Sequence, residues 1–216
     1  MNPFKVVADF EEAVADYTGA KYCVTVTSCT MALLLACKWL NVKTVSIPKF
    51  TYVSVPQSII HAGGRVQFRD EDWKGEYQLK PYPIWDAARR FTSDMYCPGQ
   101  YQCVSFHWRK ILGIQQGGAI LHDNADADRW FRKARFDGRT EGVSPQDDTF
   151  EFIGYHAYMS PEIAAEGLVR LSHLPRDNED LPNDPYADLS KIAIFRDETD
   201  ETRKEALRNI ITRHVL

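Results

Sequence analysis

"KYCVTVTSCTMALLLACKWL", residues 21–40, changes its period midway. The opening "KYCVTV" is rich in β-formers. The hydroxyl-bearing "TSCT" that follows suits a tight turn or helix cap, and "MALLLACKWL" is a helix apolar enough to be largely buried. Strand, turn and buried helix form one unit of an α/β fold. Upstream, Phe10, Val14 and Tyr17 in "DFEEAVADYTG" recur at helical spacing, with Gly19 as the stop. Downstream, "TVSIP", "RVQF", "YPIW", "QCVSF" and "GGAIL" have the short β-prone character of buried strands, and the helix-like "VPQSIIHAG" joins the first two. This alternation predicts an α/β fold with a mainly parallel sheet and flanking helices; it leaves the strand order open. Two more helices are predicted, one in "NADADRWFRKARFDG" on Trp130, Phe131 and Ala134, the other in "SPEIAAEGLVRLSHL" starting at Ser160 and Pro161. The acid-, Asn- and Pro-rich "PRDNEDLPNDPYADLS" reads as an exposed connector before a helical region over roughly 197 to 216, which could dock as a small C-terminal lobe.

At 216 residues the chain accommodates one main domain. Its 30 acidic against 26 basic residues, a net charge of -4, argue against a general affinity for a phosphate backbone, so no nucleic-acid partner is expected. The five cysteines form no CxxC pair and cannot all pair within one chain, which favours a reducing, cytoplasmic setting. No signal-peptide core is evident, and no run approaches the roughly 20 apolar residues of a membrane span, so no membrane partner is expected. The six histidines make neither HExxH nor a dense Cys/His group. The acids of "HDNADAD" suit a helix cap better than a metal, and no metal site is assigned. The Gly pairs at 63–64 and 117–118 lack dinucleotide or Walker spacing and are read as aids to turning and close packing.

Four stretches fall where an open α/β sheet gathers its functional groups, beyond strand ends. Cys29 and Thr30 stand near a helix start, where N–H groups and a hydroxyl suit phosphate or simply cap the helix. Tyr52 follows "TVSIP" and is either a platform for a planar ring or a core aromatic. Asp86 ends "PIWD", where a carboxylate can hold the proton of a pyridine nitrogen; with Arg89 it can equally belong to a charge network at a helix start. Ser105 and Lys110 follow "QCVSF"; the hydroxyl suits phosphate, and the amine is either a carbonyl-binding nucleophile or an ordinary surface cation.

Taken in order, "FEEAVADYTGAKYCVTVTSCTMALLLA", "IPKFTYVSVPQSIIHAGG", "WDAAR", "SFHWRK", "GGAIL" and "GYHAYMSPEIAAEGLVRL" resemble the DegT/DnrJ/EryC family of pyridoxal-phosphate-dependent sugar aminotransferases, from about residue 9 to residue 174. The resemblance implies a reduced form of the fold type I transferase architecture. It divides the chain into a cofactor-binding domain over 1–174 and a shortened C-terminal lobe over 175–216. It implies pyridoxal 5'-phosphate as cofactor, with Lys110 as the lysine that binds its aldehyde and later shuttles the proton. Asp86 would meet the pyridine nitrogen, Tyr52 would stack on the ring and Arg89 would lie near the ring oxygen. Cys29, Thr30 and Ser105 would surround the phosphate. The implied partners are an amino-acid donor, glutamate foremost, a keto-sugar nucleotide acceptor and a second copy of the chain. His156 stands at the family's asparagine position, which reaches the partner's phosphate, and Tyr158 replaces a basic residue.

The chain also departs from the family. Between Asp70 and Pro81 it has a short polar passage where members insert a further strand and helix, so the sheet must be reduced or differently closed. A related dehydratase branch carries histidine at the lysine position; Lys110 favours amino transfer. The rival outside enzymology is an altered or inactive aminotransferase-like regulator or nucleotide-sugar-binding protein.

Overall fold

The structure is a computed structural model that describes residues 4–195, so the helical region expected over roughly 197 to 216 lies outside the described residues. Helix α1 (Lys5–Thr18) ends at Gly19, whose φ of 77° is the left-handed turn that a residue without Cβ adopts cheaply. Strand β1 (Tyr22–Val26) leads into α2 (Cys29–Trp39), and the Ser28 hydroxyl caps α2 by accepting from the Met31 N–H at 3.2 Å. Then come β2 (Thr44–Pro48), α3 (Ser54–His61), β3 (Arg65–Arg69), the short β4 (Tyr77–Gln78), β5 (Ile84–Asp86), β6 (Tyr101–Ser105) and β7 (Gly118–His122). Helix α4 (Ala125–Arg135) is capped by Asn124, which accepts from the Asp126 and Ala127 N–H groups, and α5 (Pro161–Ser172) by Ser160. No described helix is long and apolar enough to cross a membrane.

The sheet is mixed: β1, β6 and β5 point one way, in keeping with the mainly parallel expectation, while β7 and β4 run against them. Five strands run in the order β1-β7-β6-β5-β4, and only β5 and β6 among them are parallel neighbours; β2 and β3 form a separate parallel pair. The reason lies in the connections. A parallel pair needs a crossover, whereas β4 and β5 are joined by a tight turn, and no helix intervenes between β6 and β7. Just past β4, Lys80 exchanges backbone hydrogen bonds with Ser46 of β2 at 2.8 and 3.1 Å, which links the two sheets edge to edge. The short passage after Asp70 thus closes the sheet with a hairpin strand.

Residues alternate between two apolar clusters, one on each face, as a doubly covered sheet requires. Val24, Val26, Cys103 and Ile120 pack beneath α2 and α4, while Cys23, Val104, Ala119 and Leu121 pack with α1 and α5. Glu11 ties α1, β1 and α4 together. Buried at 3 % exposure, it accepts from the Thr25 N–H at 2.8 Å and hydroxyl at 2.7 Å, and it pairs with Arg132 and Arg135. Burial works to raise its carboxyl pKa, but the two arginines outweigh this and hold it below the usual carboxylate value.

The acidic connector does more than link. Residues 180–189 run back across the ends of β2 and β5: the Leu181 N–H donates to Arg89 O, the Leu189 N–H to Lys49 O, and Asn183 Nδ2 to Trp73 O. Leu189 is buried, and two short 3-10 turns follow, Leu189–Lys191 and Ala193–Phe195. Hydrogen bonds, the ion pairs of Asp180 with Arg90 and Asp184 with Arg89, and buried Leu189 hold this strap in place.

Candidate active site

A cavity of about 330 Å³ opens beyond the ends of β2, β5 and β6, against the start of α2. Cys29, Thr30, Tyr52, Asp86, Arg89, Ser105 and Lys110 all line it. Two local features bring them together. Gly118 of β7 lets α2 begin against the sheet, since a Cβ there would collide with the Cys29 amide nitrogen and the Val104 carbonyl. After β6 the chain turns at once, the Lys110 N–H donating to His107 O at 2.7 Å, so the lysine folds back over the strand end.

Asp86 is the last residue of β5 and is 4 % exposed. Its Oδ1 accepts from the Ala88 N–H at 3.0 Å and its Oδ2 from the Tyr77 hydroxyl at 2.9 Å. Burial pushes its carboxyl above the usual carboxylate range, opposed by these two donors and by Lys110 and Arg89. Lys110 is half-buried. Burial first, and then the Arg89 cation, lower its amine below the ordinary lysine value, against the pull of Asp86. A lysine so placed is neutral over a wider pH range than a surface one, the condition for a nucleophilic amine.

The Thr30 and Ser54 hydroxyls lie 2.7 Å apart, and Ser58 donates to Thr30 O at 3.0 Å, which holds the first turn of α2 and α3 together at the cavity wall. Cys29 is buried beside Cys103 O and Asp86, and burial raises its thiol well above the usual value, so it stays neutral. Tyr52 is 59 % exposed on the rim and takes no part in the core. Arg89 is only 6 % exposed and begins no helix. Its guanidinium donates to Pro182 O at 2.6 Å and to the Tyr186 hydroxyl at 3.0 and 3.2 Å, and it pairs with Asp184.

His156 does not line this chain's own cavity. It is exposed, its Nδ1 3.0 Å from Asp137 Oδ2 and its ring against Tyr158, which packs in turn on Phe4 and Phe136. Several lining residues carried no sequence signal. Asp184 and Tyr186 come from the strap, and Trp73 from the polar passage, where its ring meets Tyr77 and Tyr186. Tyr77 reaches Asp86 through the hairpin. The pattern "YQLKPYPIWD", two β-prone runs around a proline turn, is the cue that could have revealed that strand.

Comparison with known proteins bears on this constellation. Over 127 residues, 56% of this chain, the sequence is 39% identical to the spore coat polysaccharide biosynthesis protein SpsC of Bacillus subtilis, yet it spans 32% of that protein's length. It is 24% identical to a UDP-4-amino-4,6-dideoxy-N-acetyl-beta-L-altrosamine transaminase of Campylobacter jejuni, covering 89% of this chain and 66% of that protein. A solved DegT DnrJ EryC1 StrS aminotransferase from Brucella abortus superimposes with a TM-score of 0.65 at 20% identity, over 77% of this chain and 58% of that one. The fold is therefore the fold type I aminotransferase architecture in shortened form. With residues 2–95 and 97–181 matching its family pattern, the chain belongs to the DegT/DnrJ/EryC1/StrS aminotransferase family.

Proposed function

We propose that the chain binds pyridoxal phosphate in this cavity and takes part in moving an amino group from an amino acid, glutamate foremost, to a keto-sugar carried on a nucleotide. The observation that carries the reading is the meeting of the Lys110 amine and the Asp86 carboxylate in one cavity at the start of α2. The residues fit the cofactor. A buried carboxylate, a half-buried amine of lowered proton affinity, hydroxyls beside a helix N-terminus and a rim tyrosine match, in order, a pyridine nitrogen, an aldehyde, a phosphate and a planar ring. When bound, the cofactor supplies the aldehyde that takes up amino groups and the electron-withdrawing ring that acidifies the neighbouring carbon.

The chain's own residues then divide the work. Asp86 would keep a proton on the ring nitrogen, and Arg89 would meet the ring oxygen. Thr30, Ser105, Cys29 and the N–H groups at the start of α2 would receive the phosphate. The Lys110 amine would take up the cofactor's aldehyde and, as a free amine, would carry the proton lost from the donor's α-carbon. Two curated relatives carry UDP-linked sugars in their names, which supports the acceptor class. A homodimer belongs to the same reading: His156, exposed on this chain and paired with Asp137, would give up that contact to reach the phosphate site of a second copy.

Purified protein titrated with pyridoxal phosphate should gain the visible absorption of a lysine-linked cofactor, and Lys110→Ala should abolish it while the far-UV spectrum is kept. Isotope transfer from ¹⁵N-glutamate to a keto-sugar nucleotide then tests turnover. Absence of the absorption in wild-type protein would overturn the reading. One observation favours a binding protein without turnover, namely that the strap already occupies Arg89. Cofactor capture with no isotope transfer would select that alternative.

A further inference from the structure

Asp86 owes one of its two oxygen contacts to a residue outside the stretches that first suggested the site. β4 pairs antiparallel with β5 in a register that sets Tyr77 directly opposite Asp86, which places the two side chains on the same face of the sheet. Tyr77 is 3 % exposed, and its hydroxyl lies 2.9 Å from Asp86 Oδ2 and 2.6 Å from Thr51 Oγ1. Thr51 is itself buried at 2 %, just beyond β2. An ionised carboxylate only accepts, so the donors are ordered: Thr51 donates to Tyr77, and Tyr77 to Asp86. The relay therefore runs from the end of β2, through the hairpin strand, to the end of β5.

We propose that Tyr77, itself held by Thr51, is a positioning residue that fixes and stabilises the Asp86 carboxylate. The role assigned to that carboxylate rests on the cofactor reading above; the hydrogen-bond relay stands on geometry alone. With the Ala88 N–H on Oδ1 and the Tyr77 hydroxyl on Oδ2, both oxygens are engaged and rotation of the carboxylate is checked from two sides. A carboxylate buried without such donors would take up a proton, and a neutral acid cannot balance a cationic ring. The hairpin thus supplies a chemical group as well as closing the sheet.

The other groups facing Asp86 are Cys29 of α2, Cys103 of β6, Lys110 beyond β6, Arg89 just past β5 and Tyr186 of the strap. Tyr77→Phe leaves all of these in place and removes a single oxygen. In the cofactor-free protein, with aspartate carboxyl carbons ¹³C-labelled and the Asp86 signal assigned by its loss in Asp86→Asn, the NMR titration midpoint of Asp86 should rise by about one pH unit in Tyr77→Phe. Thr51→Val should raise it by less. An Asp86 midpoint that is unmoved or lower in Tyr77→Phe overturns the proposal. If Tyr77→Phe does not fold, Thr51→Val decides, and an unmoved midpoint there overturns it.

A second readout uses pyridoxal phosphate itself. Its affinity, followed by the visible band, should fall about tenfold in Tyr77→Phe, and the same substitution in an Asp86→Asn background should cost nothing further. Equal losses in both backgrounds would mark Tyr77 as merely structural and overturn the proposal. Failure of the wild-type protein to take up the cofactor would refute the functional reading, while the carboxyl titration would still decide the role of Tyr77.

Discussion

Lys110 is held within a few residues of a strand end, half in water and half against Arg89 and Asp86. Its amine loses its proton more readily than an ordinary lysine, chiefly through burial and then through the Arg89 cation. Capture of pyridoxal phosphate should therefore speed up with pH around a midpoint below the ordinary lysine value. Arg89→Gln removes the positive neighbour and should move that midpoint upward, as measured by stopped-flow absorbance across a pH series; an unmoved or lower midpoint would refute the account. At this scale much was legible. Asp86 closes an apolar run and Lys110 follows another, so the rule that side chains gather beyond strand ends points to the one cavity both line. Arg89 lines the cavity, but its partners have no local cue, because Asp184 and Tyr186 lie about a hundred residues away in the chain. Tyr77 was missed because its role depends on cross-strand register, which the period of one strand does not encode.

Among the elements, α2 and its approach to β7 set the cavity wall. Gly118→Ala places a methyl group where the Cys29 amide nitrogen and the Val104 carbonyl stand, and backbone yields less readily than a side-chain tip. The substitution should cost about 2–3 kcal/mol in chemical denaturation and weaken cofactor uptake. Unchanged stability would show that the helix start has room to shift. The long periodic elements α1, α2, α4 and α5 could be read from sequence because each shows one apolar stripe and a terminal signal, such as Gly19 or Ser160. Strand direction could not. Short buried strands look alike in either sense, and the missing crossovers, which decide the matter, appear only as the absence of a helical pattern between Leu79 and Pro83 and between Phe106 and Gly117.

For the molecule as a whole, pH should act on stability through His122. It is fully buried among Tyr22, Tyr101 and Phe131, and burial lowers its pKa from 6.5 to about 4. The unfolded chain thus binds this proton more readily than the folded one. Stability should be whole above pH 6.5 and fall as pH drops toward 4, by about 3 kcal/mol from this group. His122→Phe keeps an aromatic ring in place and should flatten that limb in urea titrations at pH 4 to 7; an unchanged slope would exonerate His122.

The strap sets a boundary for anyone shortening or fusing this protein. The family pattern ends at residue 181, yet Pro182, Asp184 and Tyr186 receive the Arg89 guanidinium. Trimming at the homology edge would strand a buried cation without acceptors, so a tag or partner domain should be joined only beyond Leu189, where the last tie to the end of β2 has been made.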